Sequence, residues 1–166
     1  MSGFDPKLHV LVADPSSHMA ALVVAMLHSL RIRPAEAMIE PSQIAAELGR
    51  RAFALVLMDE QLAGGDDFSL IRALRHAEGH PNRLTPVIMM AAGPDARMIA
   101  AARDAGVTEF LRKPFSAAHI RQRLEGLQQA PRAFVEADAY AGPDRRRKAA
   151  PGDARRRRSD SEASSS

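Results

Sequence analysis

The sequence predicts an α/β protein: a five-stranded parallel sheet covered by five helices, followed by a tail that cannot fold alone. Three observations carry this. Across residues 1–128, short runs rich in Val, Leu, Ile and Met alternate with segments of helical apolar spacing. The runs are apolar on successive residues, as strands buried on both faces are, and strands alternating with helices make a parallel sheet. Beyond residue 128 the sizeable hydrophobes thin out to Phe134, Val135 and Tyr140, among many Pro, Ala, Gly, Arg, Asp and Ser. That composition buries too little surface to offset chain entropy. The chain therefore divides into a folded body, 1–128, and a disordered Arg-rich tail, 129–166, with at most a short helical extension around Pro131–Ala139.

The elements follow in order. Leu8–Ala13 (LHVLVA) is the first strand. Asp14, Pro15, Ser16 and Ser17 suit a helix cap, and Met19, Leu22, Val23, Met26, Leu27 and Leu30 then recur at helical spacing. Ala35–Glu40 is a shorter strand. Pro41 and Ser42 open a second helix to about Leu48, with Gly49 placed to end it. Phe53–Met58 (FALVLM) is a buried strand ending at Asp59. A Gly/Asp-rich loop leads to a helix over 67–77, and Pro86–Met90 (PVIMM) forms the fourth strand. Pro94–Ala105 is a helix stopped by Gly106, Thr108–Leu111 a fifth strand and Ala117–Leu127 a fifth helix.

A chain of 166 residues makes one domain with an appendage. It has no Cys, which excludes disulfide scaffolds and thiolate metal sites. No apolar run reaches the roughly 18 residues of a membrane span, and Met1–Lys7 lacks a basic patch leading into an apolar stretch. A cytoplasmic location is the expectation. The six His residues lack acidic or His neighbours at ligand spacing, and Gly64-Gly65 lacks the spacing and lysine of a phosphate loop. Residues 1–128 hold 14 Lys+Arg against 14 Asp+Glu; residues 129–166 hold 9 basic against 6 acidic, so the whole +3 excess lies in the tail. An anionic partner would meet that arm.

Parallel sheets present functional groups at the carboxyl ends of their strands. That rule selects Asp14, Asp59, Ala91 and Lys113: two acids, a lysine and a methyl group at one edge. With VLVAD (Val10–Asp14), LVLMD (Leu55–Asp59), PVIMM and FLRKPF (Phe110–Phe115), residues 7–128 resemble the CheY-like receiver domain of bacterial response regulators. The resemblance implies a flavodoxin-like fold and phosphoryl transfer to Asp59 from the phosphohistidine of a histidine kinase, with charge neutralised by Mg²⁺, a lysine and a hydroxyl. It places the lysine at Lys113, the metal acids at Asp14 and Asp59, a backbone carbonyl ligand at Gln61 and the aromatic switch at Phe110. The sequence departs from the family in the loop after Asp59, where Leu62-Ala63 and Asp66-Asp67 replace its usual residues, at Phe110, which lacks a hydroxyl, and at two groups of the pocket. Pro15 stands where the second acid of the pair belongs, and Ala91 where the phosphoryl-binding hydroxyl belongs. Two readings stay open: Asp59 is phosphorylated with poor switching, or Asp59 and Lys113 form a structural ion pair in a relic pocket with at best a weak Mg²⁺ site.

The tail carries an imperfect repeat. A Gly/Pro turn and Asp144 precede Arg145, Arg146, Arg147 and Lys148; Pro151, Gly152 and Asp153 precede Arg155, Arg156, Arg157 and Arg158. Residues 143–160 hold eight basic and three acidic groups, and seven of the eight are Arg. The guanidinium fork binds phosphate oxygens bidentately and matches guanine O6 and N7, and Asp accepts from guanine N–H groups. Cyclic di-GMP offers phosphates and guanines in two-fold arrangement, and Tyr140 adds a stacking face. The tail is similar to that of the Cle group, CheY-like proteins with an arginine-rich cyclic di-GMP-binding extension that act on the flagellar motor and on surface attachment. The alternatives are a generic polyanion arm for nucleic acid or anionic lipid, or a solubilising end. Interleaved Asp and a single aromatic speak against a nucleic-acid arm, and the body has no DNA-reading module. The sequence thus reads as a non-enzymatic adaptor whose tail takes cyclic di-GMP and controls docking to a protein such as the motor switch. The phosphorylation-driven response regulator is the second reading.

Overall fold

The computed structural model describes residues 9–129, 134–137 (as backbone) and 140–144. Five parallel strands, β1 (His9–Ala13), β2 (Ala35–Met38), β3 (Phe53–Asp59), β4 (Val87–Ala91) and β5 (Glu109–Arg112), lie in the order β2-β1-β3-β4-β5. Between and after them run α1 (Ser17–Ser29), α2 (Pro41–Arg50), α3 (Ser69–His76), α4 (Ala96–Ala105) and α5 (Ala117–Gln129). This is the predicted sheet with its five helices.

Strand alternation sorts the core into two layers. Val10 and Val12, Leu55 and Leu57, and Ile88 and Met90 point to one face, where Val23 and Leu27 of α1 and Ile120 and Leu124 of α5 pack on them. Leu11, Val56, Met58, Val87 and Met89 point to the other, against Ile44 and Leu48 of α2, Ile71 and Leu74 of α3 and Ala102 and Ala105 of α4. Because both faces are covered, the strands read as continuous apolar runs.

The helix ends follow local chemistry. The Ser16 hydroxyl caps α1 by accepting from the Met19 N–H at 3.2 Å. Gly106, at φ +108°, ends α4 in the left-handed conformation. Gly49 does not end α2, contrary to expectation: the helix continues to Arg50. The Glu47 carboxylate accepts from Arg50 Nη2 at 2.7 Å and from Arg51 Nε at 2.8 Å, pinning the last turn past the glycine. The third helix starts at Ser69 rather than Asp67, because Phe68 sits at φ +54° as its cap and is left-handed.

The tail departs further. In place of the unstructured or helical chain expected there, Phe134–Ala137 (β6) and Tyr140–Pro143 (β7) pair antiparallel, Val135 opposite Gly142 and Ala137 opposite Tyr140. A two-stranded ribbon is marginal alone; β7 gains its support by packing on α3 and α4, with Tyr140 and Ala141 buried. Residues 145–166 lie outside the described residues.

Candidate functional site

β1 and β3 are neighbours, so the residues at their carboxyl ends are too. Asp14, just past β1, and Asp59, the last residue of β3, are buried at 1% and 2% exposure. Lys113 leaves the end of β5, where its N–H donates to the Ala91 carbonyl at 2.8 Å and extends the sheet ladder. β4 lies between β5 and β3, and its last residue, Ala91, presents only a methyl group. Lys113 Nζ donates to Asp59 Oδ2 at 2.6 Å and to Asp14 Oδ2 at 2.9 Å.

The other two carboxylate oxygens face backbone. Asp14 Oδ1 accepts from the Ser16 N–H at 2.8 Å, and Asp59 Oδ1 from the Gln61 N–H at 2.9 Å. Each acid thus closes the turn after its own strand while turning one oxygen to the lysine. Burial alone would push the Lys113 ammonium down; the hydrogen bonds and charges of Asp59 and Asp14 outweigh it and hold the group above its ordinary value.

The four strand-end positions selected in the sequence converge. Phe110 is half-buried, packed against the α2–α3–α4 layer, and its carbonyl accepts from Arg123 Nε at 2.8 Å. Tyr140 and Asp144 do not join this group: β7 lies against the carboxyl ends of α3 and α4, at the opposite edge of the sheet. Tyr140 is 5% exposed and its hydroxyl donates to the Pro143 carbonyl, so in this arrangement its ring is covered rather than offered for stacking. Asp144 is half-buried beside it. Arg145, Arg146, Arg147, Asp153, Arg155, Arg156, Arg157 and Arg158 lie outside the described residues.

Magnesium takes about six oxygen donors, mostly carboxylates and waters. The edge supplies Asp14 and Asp59 with an ammonium already bonded to both, and Pro15 adds no side-chain donor. Among the described residues no cluster of three or more His, Cys, Asp or Glu could hold a metal. The side chains here would offer a metal two carboxylates, each shared with the Lys113 ammonium.

Two features fall outside what the sequence predicted. Glu60 Oε1 accepts from the Ala92 N–H at 3.4 Å and links the loops after β3 and β4 beside the acids. At the far edge, Arg75 is fully buried. Among the described residues no helix is long and apolar enough to cross a membrane.

A parallel sheet covered by helices on both faces, carrying two buried acids and a lysine at its carboxyl edge, defines the class: a receiver module of two-component signalling. The chain belongs to the response regulator receiver domain family, whose match spans residues 10–125. Over 79 residues it is 35% identical to the transcriptional activator protein PfeR of Pseudomonas aeruginosa, covering 48% of this chain and only 24% of that relative. Among solved structures it is similar to the chemotaxis response regulator CheY4 of Vibrio cholerae (TM-score 0.63, 19% identity, 72% of this chain and 98% of that one). It is equally similar to the receiver domain of a Pseudomonas aeruginosa sensor histidine kinase, solved with magnesium in its active-site cleft (TM-score 0.63, 24% identity, 74% and 98%). At these identities the two structures speak for the fold alone.

Proposed function

We propose that this protein is a CheY-like signalling adaptor without enzymatic activity of its own, driven through its tail. Its Arg-rich segment, with Asp144, Arg145, Arg146, Arg147, Asp153 and Arg155–Arg158, takes cyclic di-GMP and controls docking of the receiver body on a protein partner such as the flagellar motor switch. The observation that supports this most is the state of the receiver edge: Lys113 bridges Asp14 and Asp59 while Ala91 offers no hydroxyl. A pocket so short of phosphoryl-binding groups makes a poor input, and the arginine forks, suited to phosphate and guanine together, make a better one. The ligand shifts docking only if it binds differently to free and docked protein.

The test is calorimetric titration of cyclic di-GMP into the intact chain and into a Δ145–166 truncation, cut beyond β7 so that the packed strand is kept. Micromolar or tighter binding that disappears on truncation is the expected result. No binding to the intact chain would leave the tail a generic basic arm.

A second reading is favoured by the gathering of Asp59, Asp14 and Lys113 within hydrogen-bonding distance. In it, an Asp59 oxygen forms a P–O bond as the P–N bond of a kinase phosphohistidine breaks, and Lys113 stabilises the charge that develops. A phosphodonor assay with Mg²⁺ decides it: label on the native chain but not on Asp59→Asn would restore the phosphorelay. An unlabelled native chain, where an ordinary receiver labels, would remove it.

A further inference from the structure

The amino edge of the sheet holds an arrangement that the receiver site does not use. Arg75, in the last turn of α3, is fully buried and makes no ion pair with a carboxylate among the described residues. Its Nε donates to the Gly106 carbonyl at 3.1 Å, and its Nη1 donates to the carbonyls of Arg83 at 2.6 Å and Thr85 at 2.9 Å. Its Nη2 has no hydrogen-bond partner among the described residues. Strand β7 packs on the ends of α3 and α4 beside this group, with Gly106 between Arg75 and Ala141.

The approach is backbone on backbone. A Cβ on Gly142 would stand 2.9 Å from Gly106 Cα and 2.8 Å from the Tyr140 hydroxyl oxygen. A Cβ on Gly106 would stand 2.7 Å from Arg75 Cγ and 3.1 Å from the Ala141 carbonyl oxygen. Two glycines in register thus let the strand seat, as no other residue pair would. Seating is specific in shape, and the guanidinium beside it keeps one buried donor without a partner among the described residues, a cost the closed state carries. The arginine run starts at Arg145, two residues after β7 ends.

We propose that Tyr140–Pro143 is a latch: docked, it holds the root of the arginine run on the α3–α4 base and hides Tyr140, and it opens when that run captures its ligand. The coupling to ligand rests on the cyclic di-GMP reading above; the docking does not. Opening would free the Tyr140 ring and bare the α3–α4 base, so the receiver body would present a different surface in the two states. A closed fraction also lowers the apparent affinity of any ligand that needs the open form.

The chain has one Tyr and no Trp, so its tyrosine fluorescence reports Tyr140 alone. Acrylamide quenching is compared in the full-length native chain and in Gly142→Ala, whose methyl group meets Gly106 while the receiver sequence is untouched; circular dichroism confirms that the variant is folded. The latch predicts a Stern–Volmer constant several-fold larger in Gly142→Ala. Equal quenching in the two chains overturns the docking. Cyclic di-GMP is then titrated into both. Coupling predicts tighter binding by Gly142→Ala and, at saturation, a rise in native quenching toward the variant's level. Equal affinities with Tyr140 still protected overturn the coupling. Absence of binding to either chain overturns the cyclic di-GMP reading and the coupling with it, while the docking stands or falls on the quenching contrast.

Discussion

Lys113 is the residue on which the receiver edge turns. It faces two acids that are almost wholly buried, while its own side chain keeps 19% exposure. Removing one member of a buried ionic group leaves the others uncompensated, at a cost of about 3–5 kcal/mol. The partial exposure of Lys113 puts it at the low end. Lys113→Met should therefore lower the urea unfolding free energy at pH 7 by about 3 kcal/mol, and a loss near zero would mean that water already neutralises the pair. The pH dependence has a definite sign. A base whose folded value is raised adds stability that is fully present below its unfolded value, ordinarily 10.5, and is lost as pH climbs through the folded value above that. The native advantage over Lys113→Met should thus persist across the neutral range and be lost in strong alkali. The trio was legible in the sequence because parallel strands bring their carboxyl ends to one edge, whatever the loops between them do.

At the scale of elements, the joints that fix α2, β3 and β4 depend on Asn82, in the loop before β4. Its Oδ1 accepts from the Phe53 N–H at 2.7 Å and from the Thr85 hydroxyl at 3.1 Å. Its Nδ2 donates to the carbonyls of Leu48 at 2.6 Å and Arg51 at 2.7 Å. One fully buried amide thereby uses both its ends to tie the close of α2 and the entry of β3 to the approach of β4. Asn82→Ala strands the Phe53 N–H and two carbonyls, and each unsatisfied buried group costs about 1–3 kcal/mol. The expected loss is about 3 kcal/mol by denaturant titration; a loss below about 1 kcal/mol would mean that water replaces the amide. None of this was legible in the sequence. Asn82 and Arg75 bond backbone carbonyls far away in the chain, and such pairs leave no periodicity. The helices and strands were legible for the opposite reason, since apolar runs and caps are local. Strand β7 escaped because it lacks an apolar run: Tyr140 and Ala141 supply the burial, and Gly142 contributes by having no side chain.

For the whole molecule, the deciding feature is the separation of a body with no net charge from an arm that carries all of the excess. A neutral receiver surface exerts no general pull on polyanions, so any such pull comes from the eight basic groups of residues 143–160. The way binding responds to salt then separates the two uses of that arm. A protein that neutralises 6–10 phosphates of duplex DNA loses about 10³–10⁵ in affinity between about 50 and 200 mM salt, because condensed counterions are released on binding. A cyclic dinucleotide has two phosphates and no condensed atmosphere, so guanine contacts and bidentate forks would carry most of its binding. Under the adaptor reading, the affinity for cyclic di-GMP should change by less than about tenfold over that salt range. Binding to random-sequence duplex should be weak and fall away steeply. The reverse order, with tight duplex binding of steep salt slope and no measurable cyclic di-GMP binding, would make the arm a nucleic-acid tether. The β7 anchor would then fix where the DNA is held: at the α3–α4 base, across the sheet from Asp59.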